Sequence, residues 1–150
     1  MRHAHTESGQ DDRQRQLTQA GVAAAAVRGE QLAAAVRPDH VLCSTAVRAR
    51  QTWELAREAL GGMDAVFDDS LYLASTRALL DAIRSCPAHA SCLLVVAHNP
   101  GLSDLARGIG RGRRELTVAM RPGDVIVLQT DAPTWADAAD GDFTPIVRLP

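Results

Sequence analysis

Cys92-Leu93-Leu94-Val95-Val96-Ala97-His98-Asn99-Pro100-Gly101 is the stretch of this 150-residue chain that says most about its fold. A continuous apolar run of strand length, bounded by loop signals and without polar alternation, suits a strand buried on both faces. Such a strand belongs to a sheet covered by helices on each side. The run passes straight into His98. Asn99 is a good N-cap and Pro100 suits the first helical position, so a helix is expected through about Arg107. His98 would then stand at the carboxyl end of a strand, where ligands sit in α/β sheets.

The same pattern recurs upstream. His40-Val41-Leu42-Cys43 reads as a short apolar strand that passes into the cap signal Ser44-Thr45 and a helix over Ala46 to Leu60, stopped by Gly61-Gly62. Arg48 falls in the first turn of that helix. Before it, Thr18 caps an Ala-rich helix from Ala20 to Val36, with Leu32 and Val36 on its buried face, weakened slightly by Gly21 and Gly29 and ended by Arg37-Pro38-Asp39. Ala65-Val66-Phe67 is a second short strand, closed by Asp68-Asp69. Ser75-Thr76 caps a helix over Arg77 to Ser85.

The remaining segments fill in around this frame. Glu7 to Gln16 and the Gly/Arg-rich Gly108 to Arg114 read as loops. Asp124 to Gln129 is a strand introduced by the turn Arg121-Pro122-Gly123-Asp124. The acidic stretch Asp131 to Asp142 reads as an exposed connection, and Thr144 to Leu149 as an edge strand. With no repeat and no boundary, residues 1–150 form a single domain. Alternating strands and helices predict a three-layer α/β/α sandwich with a mostly parallel sheet.

Composition narrows the chemistry. The chain is 46% hydrophobic with a net charge of −2, which gives no general attraction to nucleic acid or to an anionic membrane. All sixteen basic residues are Arg; without Lys, Schiff-base and P-loop lysine chemistry are excluded. Cys43, Cys86 and Cys92 lack metal-type spacing and read as reduced thiols of a cytoplasmic protein. The polar N-terminal segment is no signal peptide, and no apolar run approaches membrane-spanning length. His3 and His5 would share a face only in an extended segment and have no evident third ligand, so no metal or other cofactor is expected. His40 and His89 read as surface histidines, Arg50 as an exposed helix residue and Asp104 as structural. Arg111, Arg113 and Arg114 read as a solvated basic loop, and Cys43 as buried filler.

At the other end of the chain, Met1-Arg2-His3-Ala4-His5-Thr6 sets a permanently charged guanidinium fork beside an imidazole. The fork matches phosphate two bonds at a time, and the imidazole can be neutral and nucleophilic near neutral pH. With Arg48 and His98 at strand ends beside helix N-termini, the implied pocket holds two Arg and two His. That is a phosphate pocket.

Taken together, Arg2-His3-Ala4, Arg15-Gln16-Leu17-Thr18-(x)2-Gly21, Ser44-(x)3-Arg48-Ala49-Arg50-Gln51-Thr52 and Ala97-His98-Asn99-Pro100-Gly101 resemble the histidine phosphatase superfamily (phosphoglycerate-mutase-like). The nearest branch is that of the small SixA-type phosphohistidine phosphatases; Leu71-Tyr72-Leu73-Ala74 and Met120-(x)2-Gly123-Asp124 share its pattern. The likeness covers nearly the whole chain, in order. It implies that His3 is the nucleophile, that Arg2, Arg48 and His98 hold the phosphoryl oxygens, and that no metal takes part. Arg15, Ser44 and Asn99 are the further substrate-side candidates. The implied partner is a phosphohistidine protein or a small phosphorylated metabolite.

Two departures from the family pattern carry consequences. The family has a central apolar strand before its Arg-His pair, whereas here only Met1 precedes it. Either the chain starts upstream, or the first strand is missing and the sheet has a gap, with exposed edges and a poorly stable, association-prone product. An N-terminally truncated, inactive phosphate-binding protein is therefore one alternative. Phosphomonoesterases of the family also place a Glu after the middle strand as acid for the leaving alkoxide. Here that region reads Asp68-Asp69-Ser70-Leu71-Tyr72. A phosphoramidate leaves more readily than an alkoxide, so the missing Glu favours phosphohistidine, although Asp68 or Asp69 could substitute and a small-molecule phosphomonoesterase is the other alternative.

Overall fold

The computed structural model describes residues 1–110, 116, 119–139 and 141–150. Arg111, Arg113 and Arg114 lie outside them. The elements follow in the order α1 (Gln19–Ala35), β1 (His40–Ser44), α2 (Val47–Arg57), β2 (Val66–Asp68), α3 (Thr76–Arg84), β3 (Leu93–Val96), α4 (Gly101–Ile109), β4 (Val125–Thr130) and β5 (Phe143–Leu149). β2, β1 and β3 form a parallel sheet with β1 in the middle, while β4 and β5 pair antiparallel.

Alternation along the central strands builds the layers. Val41, Cys43, Leu94 and Val96 pack with Leu32 of α1 and Trp53 of α2 on one side. Leu42 packs with Leu79 and Ile83 of α3 and Leu102 and Leu105 of α4 on the other. Successive side chains of a strand point to opposite faces, so two helical layers need strands that are apolar throughout. The continuous run at Leu93–Val96 is that strand. The acidic stretch after β4 differs from the expected exposed connection. Trp135 donates its indole N–H to the Ala90 carbonyl at 2.6 Å, and the buried Ala138 gives its carbonyl to Arg84 at 2.7 Å. One indole and one small residue anchor this polar segment against α3.

Met1, Arg2 and His3 lie between the two sheets and hydrogen-bond to both. Met1 N donates to the Val95 carbonyl at 2.7 Å, Ala97 N to the Met1 carbonyl at 3.2 Å, and Arg2 N to the Asp124 carbonyl at 2.9 Å. Arg2 pairs with Ala97 in parallel. Below Met1 the edges of β3 and β4 face one another across a cavity of about 520 Å³, lined by Leu93, Val95, Val125, Val127, Leu32 and Leu102 among others. The cavity ends at the motif, whose backbone is held on both sides.

Two glycines set how closely the helices approach the site. A β-carbon on Gly21 would overlap the His5 carbonyl, and one on Gly101 would overlap the Ala74 carbonyl. Gly21 thus weakens α1 locally but lets it rest on the backbone of the opening motif, where Thr18 N also donates to His5 O at 3.0 Å. None of the helices among the described residues is long and apolar enough to cross a membrane.

Candidate active site

The site assembles from three chain segments at one end of the sheet. β1 ends at Ser44 and delivers Arg48 from the first turn of α2; β3 delivers His98; the bridging segment delivers Arg2 and His3. Thr52 ties the parts together. Its hydroxyl donates to the Arg48 carbonyl at 2.7 Å and accepts from Ala4 N at 3.0 Å.

His3 and His98 lie with ring centroids 5.1 Å apart, and both are buried. His3 Nδ1 is 2.8 Å from the Ala4 carbonyl, which can only accept. The proton therefore sits on Nδ1, and Nε2 carries the lone pair. Arg48 Nε donates to that lone pair at 3.3 Å. Burial, with Arg48, Arg2 and Arg15 nearby, holds His3 down to about 4, so it is neutral at physiological pH. His98 is held down to about 3, chiefly by burial and then by His3 and Arg48.

On His98, Nε2 meets Ser44 Oγ at 2.7 Å. Ser44 Oγ also takes the Ala46 N–H at 3.4 Å and can give its hydroxyl proton to His98 Nε2. In that tautomer His98 carries its own proton on Nδ1, and among the described residues neither this buried atom nor the buried Arg2 Nε has a hydrogen-bond partner. Unmade hydrogen bonds on buried donors are costly, and an anion among these residues would satisfy both. Arg2 is braced through Nη1 to the Met120 carbonyl at 2.7 Å; burial lowers its pKa, and the nearby Asp124 carboxylate partly offsets this. The arrangement is a set of fixed cationic and N–H donors around one imidazole lone pair. It can hold a tetrahedral oxyanion against a nucleophile.

The structure also places the remaining sequence candidates. Ser44 holds His98. Asn99 does not cap α4; its Nδ2 donates to the Met120 carbonyl at 2.9 Å and its Oδ1 accepts from Ser103 Oγ at 2.9 Å. Arg15 is spent on the Glu7 carbonyl, Thr6 Oγ1 and Asp12 Oδ1, closing the loop after the motif. All three hold neighbouring residues of the site in place. His5 is exposed while His3 is buried, and among the described residues no cluster of metal-ligating side chains gathers. Asp69 is tied to Arg13 and to Thr45 Oγ1, and Asp68 accepts from Ser70 N, so neither stands free as an acid. Cys43 is fully buried in the core and its thiol is pushed up to about 12 by burial, the behaviour of inert filler.

Two neighbours of the pocket were not legible as such in the sequence. Asp12 Oδ2 accepts from Arg48 Nη2 at 2.8 Å and from Tyr72 Oη at 2.7 Å. The Tyr72 ring meets His98 edge-on at 5.5 Å. Tyr72 belongs to a stretch with a family resemblance. Asp12 sits in a polar loop with no periodicity, where only the fold-back of residues 6–17 brings it to the site.

The two neutral imidazoles make stability depend on pH. Both folded-state values lie below the ordinary 6.5, so their contribution is complete above 6.5 and is lost as pH falls toward 4 and 3. The expected loss is on the order of several kcal/mol over that window. Urea midpoints should be flat above neutrality and fall steeply below about pH 6. A midpoint unchanged down to about pH 4.5 would contradict the neutral pair.

Comparison with known proteins gives a consistent picture. A model of the histidine phosphatase superfamily (branch 1) matches residues 1–72. The uncharacterized protein MT1313 of Mycobacterium tuberculosis is 34% identical over 152 residues, covering 94% of this chain and 93% of that one. A solved structure from Nakamurella multipartitia, provisionally named phosphohistidine phosphatase SixA, superposes with a TM-score of 0.88 at 31% identity, over 100% of this chain and 92% of the other. Its provisionally named counterpart from Agrobacterium tumefaciens gives 0.84 at 27% identity, over 100% and 94%.

Proposed function

This chain belongs to the histidine phosphatase superfamily, among its SixA-type members, and from that premise we propose that it hydrolyses phosphohistidine on protein substrates through a His3 phosphoenzyme. The observation that carries the reading is the unprotonated Nε2 of a neutral His3, facing Arg48 and flanked by the unpartnered donors of Arg2 and His98.

The chemistry follows from that geometry. The Nε2 lone pair attacks phosphorus, the bond to the substrate breaks, and its electron pair leaves with the departing group. Arg2, Arg48 and His98 Nδ1–H face the oxygens, where charge spreads in a loose transition state. The intermediate carries the phosphoryl group on Nε2 and keeps its proton on Nδ1, held by the Ala4 carbonyl. Water then adds to phosphorus, the P–N pair returns to Nε2, and the phosphoryl group departs as dihydrogen phosphate. No step needs a metal ion.

The leaving group decides between substrates. An alkoxide requires a positioned acid. Asp68 and Asp69 are committed elsewhere, and Asp12 is held well below the usual carboxylate range, first by the Tyr72 hydroxyl and then by Arg15 and Arg48. An imidazole leaves without such an acid. The test is a phosphohistidine peptide against a phosphoserine peptide, whose alkoxide does need a positioned acid, with vanadate as inhibitor. The phosphohistidine peptide should be preferred by at least about 100-fold in kcat/KM, the order that one missing acid contributes. Equal or better turnover of simple monoesters would turn the reading to a phosphomonoesterase, and phosphate binding without turnover to an inactive binder.

A further inference from the structure

Asp12 is an oddity in a pocket built for anions. Its carboxylate shares Arg48 Nη2 and the Tyr72 hydroxyl through Oδ2 and takes Arg15 Nη1 at 3.1 Å through Oδ1. Its backbone carbonyl accepts from Arg48 Nη1. It is thus fixed beside the guanidinium that faces His3 Nε2, while its side chain stays 43% exposed. Next to a bound phosphoryl group a carboxylate repels. If the pocket served only to grip phosphate, this placement would weaken it. The cost disappears when the substrate brings a donor of its own to this partly exposed carboxylate.

We propose that Asp12 accepts a hydrogen bond from the far ring N–H of the substrate's phosphorylated imidazole, and so selects and activates phosphohistidine over phosphate esters. The inference rests on the function proposed above. It is a matter of leaving-group chemistry. A phosphorylated imidazole protonated on its far nitrogen leaves as neutral imidazole: the P–N bond breaks, the electron pair stays on the leaving nitrogen, and the far nitrogen keeps its proton. The bond that forms is from His3 Nε2 to phosphorus, and no proton moves. A carboxylate facing the far N–H stabilises the protonated ring that leaves well. An ester oxygen has no such N–H to offer. Asp12 does for the substrate ring what the Ala4 carbonyl does for His3, which must later leave in its turn. Asp12 acts as an acceptor throughout and transfers no proton. The Tyr72 ring lies edge-on to His98, and its hydroxyl donates to Asp12.

The test compares Asp12→Asn with the unaltered chain on a phosphohistidine peptide and on p-nitrophenyl phosphate, measuring kcat and KM across pH. The ratio of the two kcat/KM values should fall at least about 10-fold in the variant, with the ester rate rising as repulsion is removed. The alkaline limb of kcat for the peptide should move down by about one pH unit, because the ring loses its counter-charge in the complex. Asp12→Ala must move both readings the same way, which guards against an effect of the new amide. An equal fall on both substrates, or an unmoved alkaline limb, would reduce Asp12 to a brace for Arg48 and overturn the inference. Should the unaltered chain ignore the peptide while cleaving the ester, the proposed substrate is at fault, and Asp12 loses this role with it.

Discussion

Replacing His3 by alanine is expected to lower turnover by at least about 10⁴-fold, the scale seen when a covalent nucleophile is removed and only binding and oxyanion contacts remain. The same substitution should abolish an acid-labile, alkali-stable phosphoenzyme trapped by rapid quenching of the unaltered chain. The effect is large because, among the described residues, neither the second imidazole nor the nearby thiol can take over. His98 turns Nε2 to Ser44 and presents a proton on Nδ1, so it is a donor, and the Cys43 thiol is buried in the core. The fold should tolerate the change, since His3 is held by its backbone, through His3 N to the Ala97 carbonyl at 3.2 Å and Gly123 N to the His3 carbonyl at 3.0 Å. A variant that folds and keeps more than about a hundredth of the activity would mean that phosphorus is attacked by something else.

Arg48→Ala should cost about 10²–10³-fold in kcat, the range for one preorganised donor at a developing oxyanion. Arg48→Lys should recover little of it, because a point charge cannot replace a planar fork that serves His3 and the phosphoryl oxygens together. A second reading separates this role from simple loss of packing. Arg48 helps to hold His3 down, so its removal should raise the acid limb of the kcat/KM profile as His3 becomes easier to protonate. If activity fell less than about 10-fold and that limb stayed in place, Arg48 would be a structural residue and the oxygens would be held by Arg2 and His98 alone.

The helix caps show where local sequence signals were diverted. Thr18 caps α1, with Oγ1 2.9 Å from Gly21 N, and Ser75 caps α3, with Oγ 3.2 Å from Ala78 N. Neither helix delivers a side chain to the site. The helices that enter it behave otherwise: α2 and α4 have no side-chain cap. The residues that should have capped them are engaged elsewhere, Ser44 with His98, Thr45 with Asp69, and Asn99 with Met120 and Ser103. Cap residues and site-bracing residues are the same chemical types, short hydroxyls and amides. From sequence the two uses look alike.

What the chain alone determined was the layer architecture and the four groups that come together at one end of the sheet. Apolar runs of strand length and Ala-rich helices are local properties; Arg48 and His98 stand where a strand hands over to a helix, which periodicity can locate, while Arg2 and His3 were legible from the pair itself and its family resemblance. What only the tertiary structure decided was how each of them is used: which nitrogen of each imidazole keeps its proton, which candidates brace rather than touch, and that Asp12 comes to rest against Arg48 and Tyr72. Those outcomes depend on hydrogen bonds between residues as much as 60 positions apart. Such bonds leave no period in the sequence, because they are set by how the layers pack and where the loop after His3 folds back.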